Sequence, residues 1–236
     1  MSPTKRSVPH TNRLLAALPR KDQQHFLAGC EQVELVFADI LCEPGEPFRH
    51  VYFPTDSYIS LVSTVDSDAR LEVALVGTEG MHGIALVLGV DIAPLHALVQ
   101  GAGSALRMKA ATFRSELRHS PALRHGLSRY LYVRMIQLAQ TAACTRFHLV
   151  EARLARWLLM TQDRAYSEEL HITHKFLGYM LGVRRVGITK AAGSLQKRKL
   201  INYSRGIITV LNRRGLEAAS CGCYRADKAT YERIMS

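Results

Sequence analysis

No run of apolar residues in this sequence is both long and unbroken. The nearest stretch, Met81–Val99, is interrupted by His82, Asp91, Pro94 and His96, which argues against a membrane span. The first twenty residues, Met1–Arg20, are polar and punctuated by proline, and they lack the apolar core of an export signal. Cysteines are few and odd in number, five in 236 residues, so a disulfide framework is not expected and reduced thiols are. Internal repeats and low-complexity tracts are absent. With 47% apolar and 22% charged residues, the composition is that of an ordinary globular protein, which excludes a disordered tail or a collagen-like repeat. A cytoplasmic protein of one large or two modest domains is the expectation.

Acidic residues are scarce in the last third of the chain. Residues 149–236 carry sixteen Lys and Arg against seven Asp and Glu, whereas residues 1–148 carry fifteen against thirteen. Most of the net charge of +11 therefore sits near the carboxyl end. A segment this basic suits a polyanion such as nucleic acid, although a solvated basic face would give the same count.

Two short helices are expected in the lead-in, over Thr11–Leu18 and Asp22–Leu27, separated by Pro19. From Val33 to Val99 the pattern is of strands broken by turn signals. Val33–Phe37 is followed by Glu43-Pro44-Gly45-Glu46, Val51–Phe53 by Pro54, and Ile59–Val65 by Asp66-Ser67-Asp68; Leu71–Val76 runs into Gly77, Gly80 and Gly83. Such runs suit a small barrel or sandwich. Pro121 then opens a helix to about Cys144, with Leu127, Leu131, Met135, Leu138 and Ala142 recurring at helical spacing beside Arg124, Arg129 and Arg134. A seam of this kind packs on its own domain or pairs with a second copy.

The most specific signal lies in Ile172–Leu200. Thr173 is placed to cap a helix whose apolar face is Phe176, Leu177, Met180 and Leu181; Gly182 supplies a left-handed turn, and Gly178 leaves room for a close crossing. A second helix follows, with Ile188, Ala191 and Leu195 inward and Arg184, Arg185, Lys190 and Lys197 outward. This is the spacing of a helix-turn-helix. An ordinary helical hairpin explains the apolar positions but not the crowding of basic residues at one end. Leu200–Tyr203 and Ile207–Leu211, joined by Ser204-Arg205-Gly206, read as the hairpin of a wing.

With those residues in hand, the chain resembles the Crp/Fnr family of bacterial transcription regulators, over nearly its whole length and most specifically in Ile172–Arg185 and Lys199-Leu200-Ile201. The resemblance implies an α+β fold. Residues 1–118 would form a cyclic-nucleotide-binding-like β-roll, 119–148 a long dimerisation helix, and 149–236 a winged helix-turn-helix. It also implies a homodimer on double-stranded DNA, paired through Leu127, Leu131, Met135, Leu138 and Ala142, with RNA polymerase a possible further partner. No membrane partner is expected. Arg185 falls on the family's guanine-reading arginine and Lys190 on a second contact position, with Val186, Arg184 and Thr189 near bases. Thr173, His174, Lys175, Lys197 and Arg205 are expected at phosphates. Where relatives that bind cyclic AMP carry a Gly-Glu and an Arg-Ser pair, this sequence has Gly83-Ile84 and Leu95-His96. Ile84 offers no acceptor to a ribose and Leu95 no charge to a phosphate, so an ordinary cyclic AMP site is not expected. The effector is left open, and Gly77–Gly83 resembles a subgroup whose effector is often unknown.

Remaining chemistry is sparse. Cys30, Cys42 and Cys144 stand alone; Cys221-Gly222-Cys223 is a pair, but a metal needs further ligands, so no metal or cofactor is expected. His171, His119 and His125 read as surface residues; His82 or His96 could serve a haem. Ser57, His50 and Asp56 are close in sequence but have no nucleophile-elbow context, and Gly77, Gly80 and Gly83 form no phosphate loop, so an enzyme is not expected. The competing reading is a small-molecule, haem or redox sensor whose output is a protein contact.

Overall fold

The computed structural model describes residues 11–65, 69–165 and 169–236. The expected turn at Asp66-Ser67-Asp68 and the start of the polar lead-in lie outside these residues. Two short helices come first, α1 (Arg13–Ala16) and α2 (Arg20–Ala28). Asn12 secures them: its carboxamide accepts the Leu14 N–H at 3.1 Å and donates to the Pro54 and Gly80 carbonyls at 3.1 and 2.8 Å.

Seven strands follow in two antiparallel sheets. One has the order β1 (Glu31–Leu35), β7 (Gly103–Lys109), β3 (His50–Pro54). The other has the order β2 (Ile40–Cys42), β6 (His96–Gly101), β4 (Tyr58–Val65), β5 (Ala69–Val76). Val51 and Phe53 from the first sheet meet Ile59, Val76 and Val99 from the second in one core, where Phe26, Phe53 and Phe113 pack edge to face. The expected first strand, Val33–Phe37, lies two residues earlier, at Glu31–Leu35. Val36 and Phe37 leave the sheet for solvent because Ala38 turns the chain at φ 72°. The seventh strand and the helix α3 (Ala110–His119) fill a region for which the sequence pattern proposed no element.

The long helix α4 runs Pro121–Phe147, capped by the Ser120 hydroxyl with Pro121 in its first turn. Its inner face, Leu123, Leu127, Tyr130 and Val133, completes the core of the roll. Leu127 is therefore a core residue at 1% exposure and is removed from the expected pairing seam. The exposed apolar stripe begins one turn later and comprises Tyr132, Met135, Ile136 and Leu138, ending at Phe147.

After a two-residue break, α5 (Val150–Ala165) starts a second core that includes Leu154, Leu158, Leu177, Ile188, Leu195, Ile201 and Ile208. Each of these side chains is withdrawn from water, a contribution of about 1.5–3 kcal/mol apiece. A three-stranded sheet, β8 (Glu169–His171), β10 (Ile207–Val210), β9 (Ile201–Ser204), lies against helices α6 (His174–Leu181) and α7 (Arg185–Lys197). The chain ends in α8 (Arg213–Ala219) and α9 (Cys223–Met235), and α9 packs back along α4.

Strand β4 joins the two cores. Ile59 faces the roll, while Ser60 and Val62, on the opposite face, meet α5 and α6. Beside them Glu72 of β5 is buried, accepting from the Ser60 hydroxyl at 2.5 Å and from the Trp157 indole at 2.8 Å. Burial raises its carboxyl from the ordinary 4.5 to about 7, against the opposing pull of those two donors and of Arg164. The folded chain thus holds the Glu72 proton more tightly than the unfolded chain, so this group's contribution to stability falls as pH rises from about 4.5 through 7. Glu72→Gln, whose oxygen still accepts from Trp157 and whose amide donates to the Ser60 hydroxyl without a charge, should raise stability by ~2 kcal/mol at pH 8 and by little at pH 5. Thermal unfolding at the two pH values measures this, and an equal gain at both would refute it.

The stretch Gly77–Gly83 is a junction. Glu79 pairs with Arg164 of α5 at 2.7 Å, the Tyr231 hydroxyl of α9 donates to the Glu79 carbonyl at 2.9 Å, and the Thr78 carbonyl accepts the Arg13 N–H at 2.7 Å. A side chain at Gly80 would overlap the Tyr130 hydroxyl, with a Cβ placed 2.1 Å from it, so α4 can lie this close only over glycine.

Candidate nucleic-acid interface

Local chemistry shapes each part of the helical pair. The Thr173 hydroxyl accepts the Phe176 N–H at 3.2 Å and so caps α6. Gly182 closes the helix at φ 60°, its N–H and that of Val183 returning to the carbonyls of Tyr179 and Gly178. A Cβ on Gly178 would stand 2.9 Å from the Val183 carbonyl oxygen, which is why the turn folds so tightly over it. Helix α7 begins at Arg185 with no side-chain cap, leaving first-turn N–H groups pointing outward.

Buried Ile188, Ala191, Ala192 and Leu195 hold α7 on its core. Arg184, Arg185, Val186, Thr189 and Lys190 all stand in solvent on the opposite side, and Lys197 lies two turns on from Lys190. Gly187 and Gly193 leave open space between them, so the outer surface of the helix is low there. At the wing, Arg205 and Gly206 take φ of 51° and 82°, the pair of positive values that a two-residue hairpin turn needs. Arg205 is thereby presented at the tip.

Among the described residues, the cations of this face have no acidic partners. Lys175, Arg184, Arg185, Lys190, Lys197 and Arg205 form no ion pair with another described residue, whereas Arg107, Arg114, Arg156, Arg164, Arg198 and Arg213 are each paired. Unpaired positive charge on one surface produces an outward field that paired charge cancels.

His174 departs from expectation. Its ring stacks on Tyr203 of the wing, with centroids 4.2 Å apart and planes 13° from parallel, while Nδ1 lies 3.1 Å from the Thr189 hydroxyl of α7. Burial, with the Arg185 charge adding to it, lowers its pKa, and its Nε2 is enclosed. A neutral, stacked ring is no phosphate contact, so His174 is reassigned as the residue joining α6, α7 and wing. Gln196 adds to the joint by accepting the Tyr203 N–H at 3.1 Å. Thr189 donates back to the Arg185 carbonyl at 3.1 Å, so it shapes α7 as well as standing on its outer face.

Comparison with known proteins places this geometry. Residues 152–219 match the Crp-like helix-turn-helix domain family. That segment is therefore a Crp-like helix-turn-helix domain. The chain is 23% identical over 176 residues to the global nitrogen regulator of Nostoc, covering 71% of this chain and 79% of that one. Its fold is that of FixK2 from Bradyrhizobium japonicum, with a TM-score of 0.69 at 14% identity, covering 82% of this chain and 98% of the other. A Crp/Fnr-family regulator from Eubacterium rectale superposes equally well, with a TM-score of 0.69 at 15% identity over 87% of this chain and 96% of that one. The two amino-terminal sheets thus share the cyclic-nucleotide-binding-like fold of these regulators, and Thr173–Lys197 is the helix-turn-helix of the matched domain.

Within the roll, the positions expected at an effector site are occupied by packing. Gly83 is left-handed at φ 91° and closes on Val51, Ile84 opens a short 3-10 turn against the core, and Leu95 is half-buried. His96 is held by the Glu43 carboxylate, an acidic neighbour. His82 is enclosed between Phe48 and Tyr52, and burial lowers it to about 4, so it packs as a neutral core ring. Ser57 donates to the Ser104 carbonyl at 2.9 Å and Asp56 accepts the Ser104 N–H, so these two hold a backbone turn.

The described helices include none long and apolar enough to cross a membrane. Sequence reasoning missed two features: the His174–Tyr203 stack, and a meeting of Cys144 and His148 with Cys221 and Cys223. The only sequence signal for the second was the Cys221-Gly222-Cys223 pair.

Proposed function

We propose that this chain is a Crp/Fnr-type transcription regulator that works as a cytoplasmic homodimer binding a near-palindromic operator in double-stranded DNA, with residues 1–118 as the sensor roll, 119–148 as the pairing helix and 149–236 as the DNA-binding module. The outward face of α7, with Arg184, Arg185 and Lys190 unpaired at its amino-terminal half, carries this reading. Arg185 presents a planar fork suited to guanine O6 and N7, and Lys190 lies one turn and a half further along the same helix. Val186 cannot accept a hydrogen bond from cytosine N4, so operator preference at that step rests on apolar contact, such as a thymine methyl. Arg184 and Thr189 flank these positions. Thr173, Lys175, Lys197 and Arg205 surround the face where backbone phosphates would pass, and fix register rather than sequence.

Pairing uses the exposed stripe of α4, namely Leu131, Met135, Leu138 and Ala142 with Tyr132 and Ile136 beside them. Two copies joined there offer two recognition helices to successive turns of a duplex. Cyclic AMP is not the expected effector. Ile84 and Leu95 supply neither acceptor nor charge, and Glu43 beside His96 would repel a phosphate. Contact with RNA polymerase would decide between activation and repression.

Selection of bound duplexes from a random pool, followed by titration of Arg185→Ala, tests the assignment. The substitution should cost about 1–3 kcal/mol on the selected operator and relax preference at one base pair per half-site. Lys197→Ala should weaken every duplex alike and flatten the salt dependence. Unchanged sequence preference in Arg185→Ala would remove that residue from the base contacts.

A further inference from the structure

Four metal-ligating side chains meet at the joint between α4 and the DNA-binding helices. Cys144 lies in the last turn of α4, and His148, four residues on, is the residue that terminates it. Cys221 lies between α8 and α9, and Cys223 is the first residue of α9. The Cys144 and Cys221 sulfurs are 3.5 Å apart, Cys223 Sγ and His148 Nδ1 are 3.5 Å apart, and all four ligand atoms lie within 4.8 Å of one another. The three cysteines are buried, while His148 is exposed at the mouth of the cluster.

We propose that Cys144, His148, Cys221 and Cys223 bind a single zinc ion. A tetrahedral centre with metal–sulfur bonds of about 2.3 Å sets its sulfurs about 3.7 Å apart, close to the spacings here. An iron–sulfur cluster spreads its cysteines around several metal atoms, so four ligand atoms drawn this close suit one ion. The ligand set of three sulfurs and one imidazole nitrogen is that of closed structural zinc sites, with no open position for substrate.

The surroundings are built for anionic sulfur. The Gln140 side-chain amide, one turn before Cys144 on α4, donates to Cys223 Sγ at 2.9 Å. The Arg156 guanidinium, itself buried, is close enough to act on the Cys144 sulfur, and its Nε has no hydrogen-bond partner among the described residues. Three thiolates, a neutral imidazole and a divalent cation carry one net negative charge, small enough to sit beside the Arg156–Asp227 ion pair. N–H groups aimed at ligand sulfurs are the supporting contacts that hold such sites in geometry. A disulfide between Cys144 and Cys221 would use two of the four groups and leave Cys223, His148 and the Gln140 donor without a purpose.

The ligands come from both sides of the joint. Cys144 and His148 belong to the end of the long helix; Cys221 and Cys223 belong to the link between the last two helices, beyond the wing. Zinc here would fasten the DNA-binding helices to the pairing helix at a set angle. Loading displaces protons from the three thiols, so occupancy falls in acid and under chelation.

The test uses the full chain, purified under a thiol reductant from cells grown with added zinc. Elemental analysis should find about one zinc per chain. Replacement by cobalt(II) should give the visible absorption of a tetrahedral site together with thiolate-to-cobalt bands in the near ultraviolet. Cys221→Ser and His148→Ala should each weaken zinc binding at least tenfold in competition with a chromogenic chelator, whereas a Cys30→Ser, Cys42→Ser double variant should bind as the parent does. Less than a tenth of an equivalent of zinc or cobalt in the parent protein, a six-coordinate cobalt spectrum, or iron and sulfide in place of zinc would overturn the proposal. So would full occupancy in Cys221→Ser, or a Cys144–Cys221 disulfide in the reductant-free protein that zinc does not prevent. The parent's cobalt spectrum decides the matter even where a variant fails to fold, and metal content is read without DNA, so the outcome is separable from that of operator binding.

Discussion

Met135→Glu combined with Leu138→Glu should leave the chain monomeric at micromolar concentration and weaken operator binding by at least a hundredfold. Met135 and Leu138 are 62% and 52% exposed on an otherwise well-packed helix, and with Tyr132 and Ile136 they form an apolar stripe that no other described residue covers. Single exposed apolar residues are ordinary; a stripe along several turns marks an interface. In a symmetric pair each substitution enters twice, so four carboxylates would be forced together in a desolvated seam. The fold of the single chain should be untouched, because the side of α4 that packs on the roll is formed by Leu123, Leu127, Tyr130 and Val133. A half-site duplex should bind the variant and the parent alike, since each recognition helix survives, while the advantage of the full palindrome is lost. Light scattering with size exclusion gives the mass, and duplex titration gives the affinity. A variant that remains dimeric would place the pairing surface elsewhere.

The second large effect is on stability. Arg156 of α5 and Asp227 of α9 form an ion pair at 2.6 Å with each side chain only 8% exposed. Burial raises the Asp227 carboxyl in spite of the adjoining guanidinium, which shows that desolvation weighs heavily on this pair. Removing one partner leaves the other charge buried, with the Thr141 hydroxyl at 3.3 Å as its remaining oxygen contact in the case of Arg156. Asp227→Ala should therefore cost about 3–5 kcal/mol in chemical denaturation. Arg156→Met with Asp227→Ala should cost less than Asp227→Ala alone, because no charge then remains unpaired. A double variant less stable than the single one would show that the pair contributes more than it costs to bury.

The helix-turn-helix was legible because its determinants are local. Thr173, Gly178, Gly182 and the apolar residues at helical spacing lie within a few turns of one another, and each acts on backbone within reach. The strands from Ile59 to Val76 were legible for the same reason. Strand β7 was obscured by Gly101 and Gly103, which read as breakers but here flank Ala102, where the chain passes from one sheet to the other. Periodicity placed Leu127 and Leu131 on one stripe and could not separate them; the curvature of the roll covers the first and leaves the second half-exposed. His174 and the Cys144–His148–Cys221–Cys223 group were illegible because their partners lie 15 to 77 residues away and meet only through the packing of helices and wing.

The ring of His174, clasped between Tyr203 and Thr189, makes the reading helix and the hairpin tip one stiff caliper. The gap between Arg185 and Arg205 is then a property of the protein, and if these two residues grip DNA as proposed, a duplex that does not match the gap would have to bend or twist to close the difference. Base steps that deform easily between the two points of grip would be favoured without being touched.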